Sequence, residues 1–222
     1  MALLSTRDAP RRDPQLTRDD WILAALDVLA QSGVDAVQIT RLARSLEVTR
    51  GSFYWHFNNR EALLEACLAE WRARNTDVML EAVAEAGTLD EGILALFAVW
   101  VDHRRFDPSL DQAVRDWARR SPELCATVEA EDESRVGAIA AFFERMEFAP
   151  TEAFIRARVL YFTQVSYYAL GVAEPVATRL SYLDAYFRTF TGRAIDPAAA
   201  EAFSAMLSGS DAGPNGTEEA GA

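Results

Sequence analysis

Ile39-Thr-Arg-Leu-Ala-Arg-Ser-Leu-Glu-Val-Thr-Arg-Gly-Ser-Phe-Tyr-Trp-His-Phe57 is the stretch on which the reading of this chain turns. Its pattern predicts two short helices, at about 39–46 and 50–56, joined by the turn Glu47-Val48-Thr49. Leu42, Ala43, Leu46, Val48 and Phe53 fall where they can form a small core that fixes the angle between those helices. That leaves Thr49, Arg50, Ser52, Tyr54, Trp55 and His56 largely exposed on one short element. Solubility alone does not call for such a cluster, but a major groove does. A guanidinium matches guanine O6 and N7, hydroxyls and imidazole reach phosphates, and aromatic faces meet thymine methyls and sugars.

Working outward, a bracing helix precedes this pair. Thr17 reads as its N-cap, with Asp19 and Asp20 in the first turn, and Ile22, Ala25, Leu26 and Leu29 make one apolar face before Ser32-Gly33 ends it. A long helix is expected from Arg60-Glu61 to about Ala86. Further helices are expected near 89–105, 109–120, 122–147, 151–173 and 176–191, their starts marked by Asp107-Pro108, Ser121-Pro122 and Pro150-Thr151. Asp196-Pro197 is a last start signal, and Gly171 and Gly192 mark ends. No sustained alternation predicts a strand. The chain therefore reads as all-α, with a polar arm at 1–16, a three-helix DNA-binding domain at 17–60 and a larger helical domain at 61–207. The stretch 208–222 lacks core-forming residues and is expected to be a disordered tail.

Charge at first argues against nucleic acid, because the formal net charge is −12. Its distribution changes that. Residues 1–60 hold 8 Arg against 7 acids, whereas residues 61–222 hold 14 Arg against 27 acids. Every cationic side chain is Arg, the one with a planar fork suited to phosphates and base edges. No stretch approaches the roughly 20 apolar residues that span a bilayer. The opening Met1-Ala-Leu-Leu-Ser-Thr-Arg-Asp8 does not have the form of a secretory signal. Cys67 and Cys125 form no metal spacing and read as reduced thiols of a cytoplasmic protein. Neither a metal nor a cofactor is expected.

Val48-Thr-Arg-Gly-Ser-Phe-Tyr-Trp-His-Phe-Asn-Asn-Arg-Glu-Ala-Leu-Leu64 resembles the recognition helix and following helix of the tetracycline-repressor (TetR) family of bacterial regulators. The specific resemblance covers residues 17–66. It implies Thr49, Arg50, Gly51 and Ser52 near base edges, Tyr54 and His56 on phosphates with Trp55 beside them, and Arg60 in place of a usual Lys at a phosphate. Thr40, Arg41 and Arg44 would sit on the helix that crosses the backbone. Arg7, Arg11, Arg12 and Arg18 are either a minor-groove arm or solvated charge. Two positions depart from the family. Gln38 stands where a Ser or Thr cap is usual, and Glu47 replaces the turn glycine, at a cost on the order of 1 kcal/mol if its φ is positive.

The resemblance also implies a homodimeric, ligand-released repressor that binds a palindromic operator in the cytoplasm, at the nucleoid. The segments 151–173 and 176–191 are apolar round much of their circumference, as helices with partners on several sides are. Phe154, Ile155, Val159, Tyr161, Phe162, Tyr167, Tyr168, Leu170, Leu180, Leu183, Tyr186, Phe187 and Phe190 are the dimer-surface candidates, in the family's isologous four-helix arrangement. Trp71, Trp100, His103, Phe106, Trp117 and Gln164 are candidates for a pocket, each reading more readily as ordinary core, and the acidic domain with apolar walls suits a cationic or neutral hydrophobic effector that the sequence does not name. No nucleophile elbow, phosphate loop or metal spacing supports an enzyme. A helical interaction protein of the same fold that has lost DNA binding is the alternative that Glu47 and the acidic balance leave open.

Overall fold

The computed structural model describes residues 16–210, so the arm lies outside the described residues apart from Leu16, as does the tail beyond Ser210. Every regular element among the described residues is helical. The described chain divides into two compact units, one through Cys67 and one from Leu68, and the division falls inside a helix rather than ahead of it.

The first unit opens with α1, Arg18–Ser32, started by a capping box in which Thr17 and Asp20 exchange hydrogen bonds. A 3₁₀ turn, Val34–Ala36, leads to α2, Ile39–Ser45, and then to α3, Arg50–Phe53. The third helix is shorter than expected, because Tyr54–His56 tighten into turns in which the Trp55 and His56 amides donate three residues back. Gln38 occupies the N-cap of α2 without capping it and donates instead to the Asp35 carbonyl at 3.2 Å. Phe53 is fully buried at the centre of the unit, edge-on to Trp21 at 5.2 Å and stacked with Phe57 at 5.5 Å. Leu26, Leu29, Leu42 and Ala43 close round it. Each large apolar side chain so buried stabilises by about 1.5–3 kcal/mol. Asn59 caps the next helix, α4 (Arg60–Arg72), by accepting from the Ala62 amide at 2.8 Å.

Within the second unit the expected long helix is interrupted. After Arg72 the chain runs through a π-helical segment, Ala73–Asp77, before α5, Val78–Ala84. Then follow α6 (Leu89–Val101), α7 (Pro108–Ala118), α8 (Pro122–Arg145) and α9 (Pro150–Ala169). Asp107 and Ser121 cap α7 and α8 ahead of their prolines, as the sequence predicts. The segment read as one helix at 176–191 is two, α10 (Val176–Ser181) and α11 (Leu183–Thr191), divided at Tyr182. A further helix, α12 (Pro197–Ser210), follows the Asp196-Pro197 signal and includes the first residues assigned to the tail. The core is aromatic and aliphatic, with Trp100, Phe142, Phe143, Leu160 and Phe187 all buried. α6 and α8 pack so closely that a Cβ on Gly92 would come within 2.3 Å of the Phe142 ring.

Candidate nucleic-acid interface and effector cavity

The packing of Phe53 inward decides what its neighbours do. With that ring buried, Tyr54 and Trp55 are turned out, 51% and 86% exposed. Thr49, Arg50 and Gly51 at the head of α3 are exposed, and Ser52 and His56 are half-buried. On α2, Thr40, Arg41 and Arg44 are exposed while Leu42 and Ala43 face the core. Ten of the eleven residues expected at DNA therefore keep surface on two consecutive short helices and the turn after them.

Arg60 goes elsewhere. Its guanidinium donates to the Val37 carbonyl at 2.6 Å and to the Val34 carbonyl at 2.5 Å. The Val34 carbonyl also accepts from the Val37 amide at 3.1 Å within the 3₁₀ turn, and the cation is held by these two carbonyls. A second cation, Arg18, lies over the Phe57 ring at 4.8 Å. Glu47 takes the left-handed conformation, φ +57°, and is exposed.

In the second unit, the residues put forward for a pocket do not converge. Trp100 and Gln164 line a cavity of about 70 Å³ bounded by α6, α9, α10, α11 and α12, with Phe97, Tyr186, Phe190 and Phe203 among its walls. Trp71 instead donates Nε1 to Asp111 at 2.9 Å and stacks against Arg135. Phe106 is buried and stacked on Tyr168 at 5.5 Å, Trp117 is half-buried on α7, and His103 is exposed in the turn after α6. These four are bound up in core or surface because the cavity lies towards the last helices. Sequence reading missed α12 as a wall. The signal was there, in Phe203 and Leu207 four apart after a helix start.

An ion network that the sequence reading did not find fills the space between the π-helical segment, α7, α8 and α9. Arg115 donates to both oxygens of Asp132 at 2.8 and 2.7 Å and to Asp111 at 2.7 Å. Fully buried Arg135 donates to Thr76, Asp111 and the Tyr161 hydroxyl, and that hydroxyl donates to Asp132 at 2.6 Å. Burial pushes the Asp111 carboxyl up, but Arg135, Arg115 and the Trp71 donor outweigh it, so the net shift is downward.

The dimer-surface candidates also divide. Phe154, Ile155, Val159 and Phe162 of α9 are 37–52% exposed, and Tyr186 of α11 is 38% exposed. Tyr161, Leu183, Phe187 and Phe190 are buried in the unit's own core, so they are not surface for a partner. Tyr168 is half-buried and donates to the Trp100 carbonyl at 2.7 Å. The apolar circumference of these helices reflects neighbours within the chain as well as free surface.

Comparison with known proteins places the first unit. Residues 22–67 match the family described as bacterial regulatory proteins, tetR family. In its first unit the chain carries a TetR-family regulatory domain. It is 38% identical over 72 residues to the tetracycline repressor protein class D of Escherichia coli, which is 32% of this chain and 33% of that one. It is 45% identical over 53 residues to the HTH-type transcriptional regulator SrpR of Pseudomonas putida, 24% and 25% of the two chains. These alignments span about a third or less of the curated TetR-family relatives. A solved structure titled the ketosteroid transcriptional regulator KstR2 of Mycobacterium tuberculosis shares the fold at a TM-score of 0.60. It is 16% identical, with 81% of this chain and 95% of that one covered. The likeness to this structure is one of fold.

Proposed function

We propose that this chain is a sequence-specific DNA-binding transcriptional regulator that works as a homodimeric repressor and is released from a palindromic operator by a small molecule. The observation that carries the reading is the outward set Thr49, Arg50, Tyr54 and Trp55 built on a core centred on Phe53. A tryptophan 86% exposed beside an exposed arginine and tyrosine has no partner in its own unit, and DNA supplies one. One helix-turn-helix reads only a few base pairs, and two of them related by a two-fold axis read half-sites about one helical turn apart. The exposed apolar face of α9 (Phe154, Ile155, Val159, Phe162) together with Tyr186 supplies an isologous surface for that pairing. Arg50, Ser52 and Tyr54 would read and clamp the groove, while Thr40, Arg41 and Arg44 would meet the backbone. Such a protein acts in the cytoplasm, on the nucleoid.

Selection of bound fragments from a random duplex pool at moderate salt tests this, with Arg50→Ala/Tyr54→Ala run alongside. The wild type should enrich a palindrome and the double variant should not, with affinity falling steeply as salt rises because phosphate contacts release counterions. If the wild type enriches nothing even at low salt, the second reading holds, an interaction protein of this fold whose exposed Glu47 repels DNA.

A further inference from the structure

We propose that the cavity between α9 and α11 takes a neutral, mostly apolar molecule of about one aromatic ring carrying a single hydrogen-bond acceptor, which meets the side-chain amide nitrogen of Gln164. The proposal rests on the regulator reading for its biological meaning, but the binding it describes does not need DNA.

Gln164 carries the argument. Its Nε2 is buried and no acceptor meets hydrogen-bond geometry with it; the Tyr168 hydroxyl is the polar group it interacts with. That hydroxyl donates to the Trp100 carbonyl at 2.7 Å, so its oxygen can take at most one of the two amide hydrogens and leaves the other open. A buried amide N–H without an acceptor is costly, and an incoming carbonyl or ether oxygen would relieve that cost. Leu160, Leu183, Phe190 and Phe203 make much of the remaining lining apolar, with the Thr163 hydroxyl and the ends of Tyr167 and Tyr186 as further polar groups on it.

Charge on the lining favours neither sign. Glu174 accepts from the Tyr167 hydroxyl, and Arg179 lies over the same tyrosine ring at 5.2 Å. One acid and one base, both engaged with Tyr167, leave no net field for an ion to answer. An ion would also lose its hydration in a mostly aromatic site.

Size sets the last term. A cavity of about 70 Å³ is below the roughly 150 Å³ that accepts benzene in an apolar core, so a ring must open the site as it enters. The wall that can give is α11, which is separated from α10 at Tyr182 and presents Tyr186 both to the cavity and, 38% exposed, to the outside. Occupancy would therefore press on the same helix that contributes Tyr186 to the proposed dimer surface. A groove with Arg104 and Arg105 on its rim adjoins the cavity, sharing Val101, Val176 and Leu207 with it, and provides the route in.

Calorimetric titration of the full chain with acetophenone, ethylbenzene and benzoate tests this, since the three share a ring and a near-identical outline. Acetophenone should bind about tenfold more tightly than ethylbenzene, the worth of one well-placed buried hydrogen bond, and benzoate should bind most weakly. Gln164→Leu should erase the ketone's advantage while keeping ethylbenzene affinity, and Leu180→Trp, which fills the cavity from a half-buried position, should abolish both. Gln164→Met serves the same purpose should the leucine variant melt early. Equal binding of ketone and hydrocarbon, a ketone preference that survives Gln164→Leu, tightest binding of benzoate, or no binding at millimolar probe would each overturn the proposal. Fragment selection without any ligand is decided separately, so failure here leaves the DNA-binding reading to its own test.

Discussion

Glu47 sits where a helix ends and a turn begins, and the same local structure recurs a hundred residues later at Glu147. In the first, the Val48 amide donates to the Ala43 carbonyl at 2.9 Å and the Glu47 amide to Arg44 at 3.2 Å. In the second, the Phe148 amide donates to Phe143 at 3.2 Å and the Glu147 amide to Glu144 at 3.0 Å, with the Phe143 and Phe148 rings in contact. Both are Schellman ends, in which the residue after the cap adopts positive φ, here +57° and +66°. Glycine takes that conformation without the Cβ clash, so Glu47→Gly and Glu147→Gly should each raise stability by about 0.5–1 kcal/mol, read as a higher urea midpoint. Only Glu47→Gly removes a charge beside the proposed DNA surface, so only it should also tighten operator binding. Equal effects of the two variants on DNA affinity would contradict that placement. The left-handed turn was legible from the position of Glu47 in the motif. The destination of Arg60 was not, because which carbonyls come within reach of its guanidinium depends on a 3₁₀ turn more than twenty residues away.

At the scale of elements, the π-helical segment Ala73–Asp77 is what the periodicity concealed. A reading at 3.6 residues per turn carries straight through it, yet the wider turn places Asn75 and Thr76 in the interior, 0% and 2% exposed. Thr76 there accepts from Arg135, and Asn75 donates to the Asp107 carbonyl at 2.8 Å, joining this segment to α8 and to the start of α7. Asp111 is the acid that both Arg115 and Arg135 share. Removing its charge leaves two buried cations short of a partner, so Asp111→Asn should cost about 3–5 kcal/mol near neutral pH. The folded pKa of Asp111 lies below its ordinary value, so its contribution is complete above about pH 4 and fades as pH falls through the folded value. Urea unfolding of both proteins between pH 7 and pH 3 should show the gap narrowing below about pH 4. A gap that stays constant across that range would mean the carboxylate is not held as described.

For the whole molecule, the question is which apolar surface is left after the chain has packed on itself. α9 keeps Phe154, Ile155, Val159 and Phe162 outside, with Arg158 lying over the Phe154 and Phe162 rings at 5.5 and 5.2 Å. Phe154→Glu/Ile155→Glu should turn the proposed dimer into a monomer in analytical ultracentrifugation and weaken operator binding at least tenfold, while leaving the unfolding transition of each unit in place. A double variant that still sediments as the wild type would remove α9 from the interface. The acidic excess of the chain belongs to this scale too. All but Glu61 and Glu65 of the 27 acids beyond residue 60 lie after Cys67, in the part of the chain that carries the cavity, and the first 60 residues are nearly balanced, so average charge said little about the DNA surface.

The sequence by itself determined the helix-turn-helix and most of its outward residues. Phe53 and Leu42, Ala43 and Leu46 are close in the chain, and helical geometry alone decides which neighbours they turn outwards. It also determined the helical class and nearly every helix start, because Thr17, Asp107 and Ser121 act on amides within three residues of themselves. Only the tertiary structure decided the rest. Whether Tyr161 or Phe187 meets a partner or its own core, whether Trp71 faces a ligand or Asp111, and where the unpaired nitrogen of Gln164 lies depend on residues twenty to a hundred positions away. An apolar or aromatic side chain records that it will be buried, and packing between distant helices determines against what.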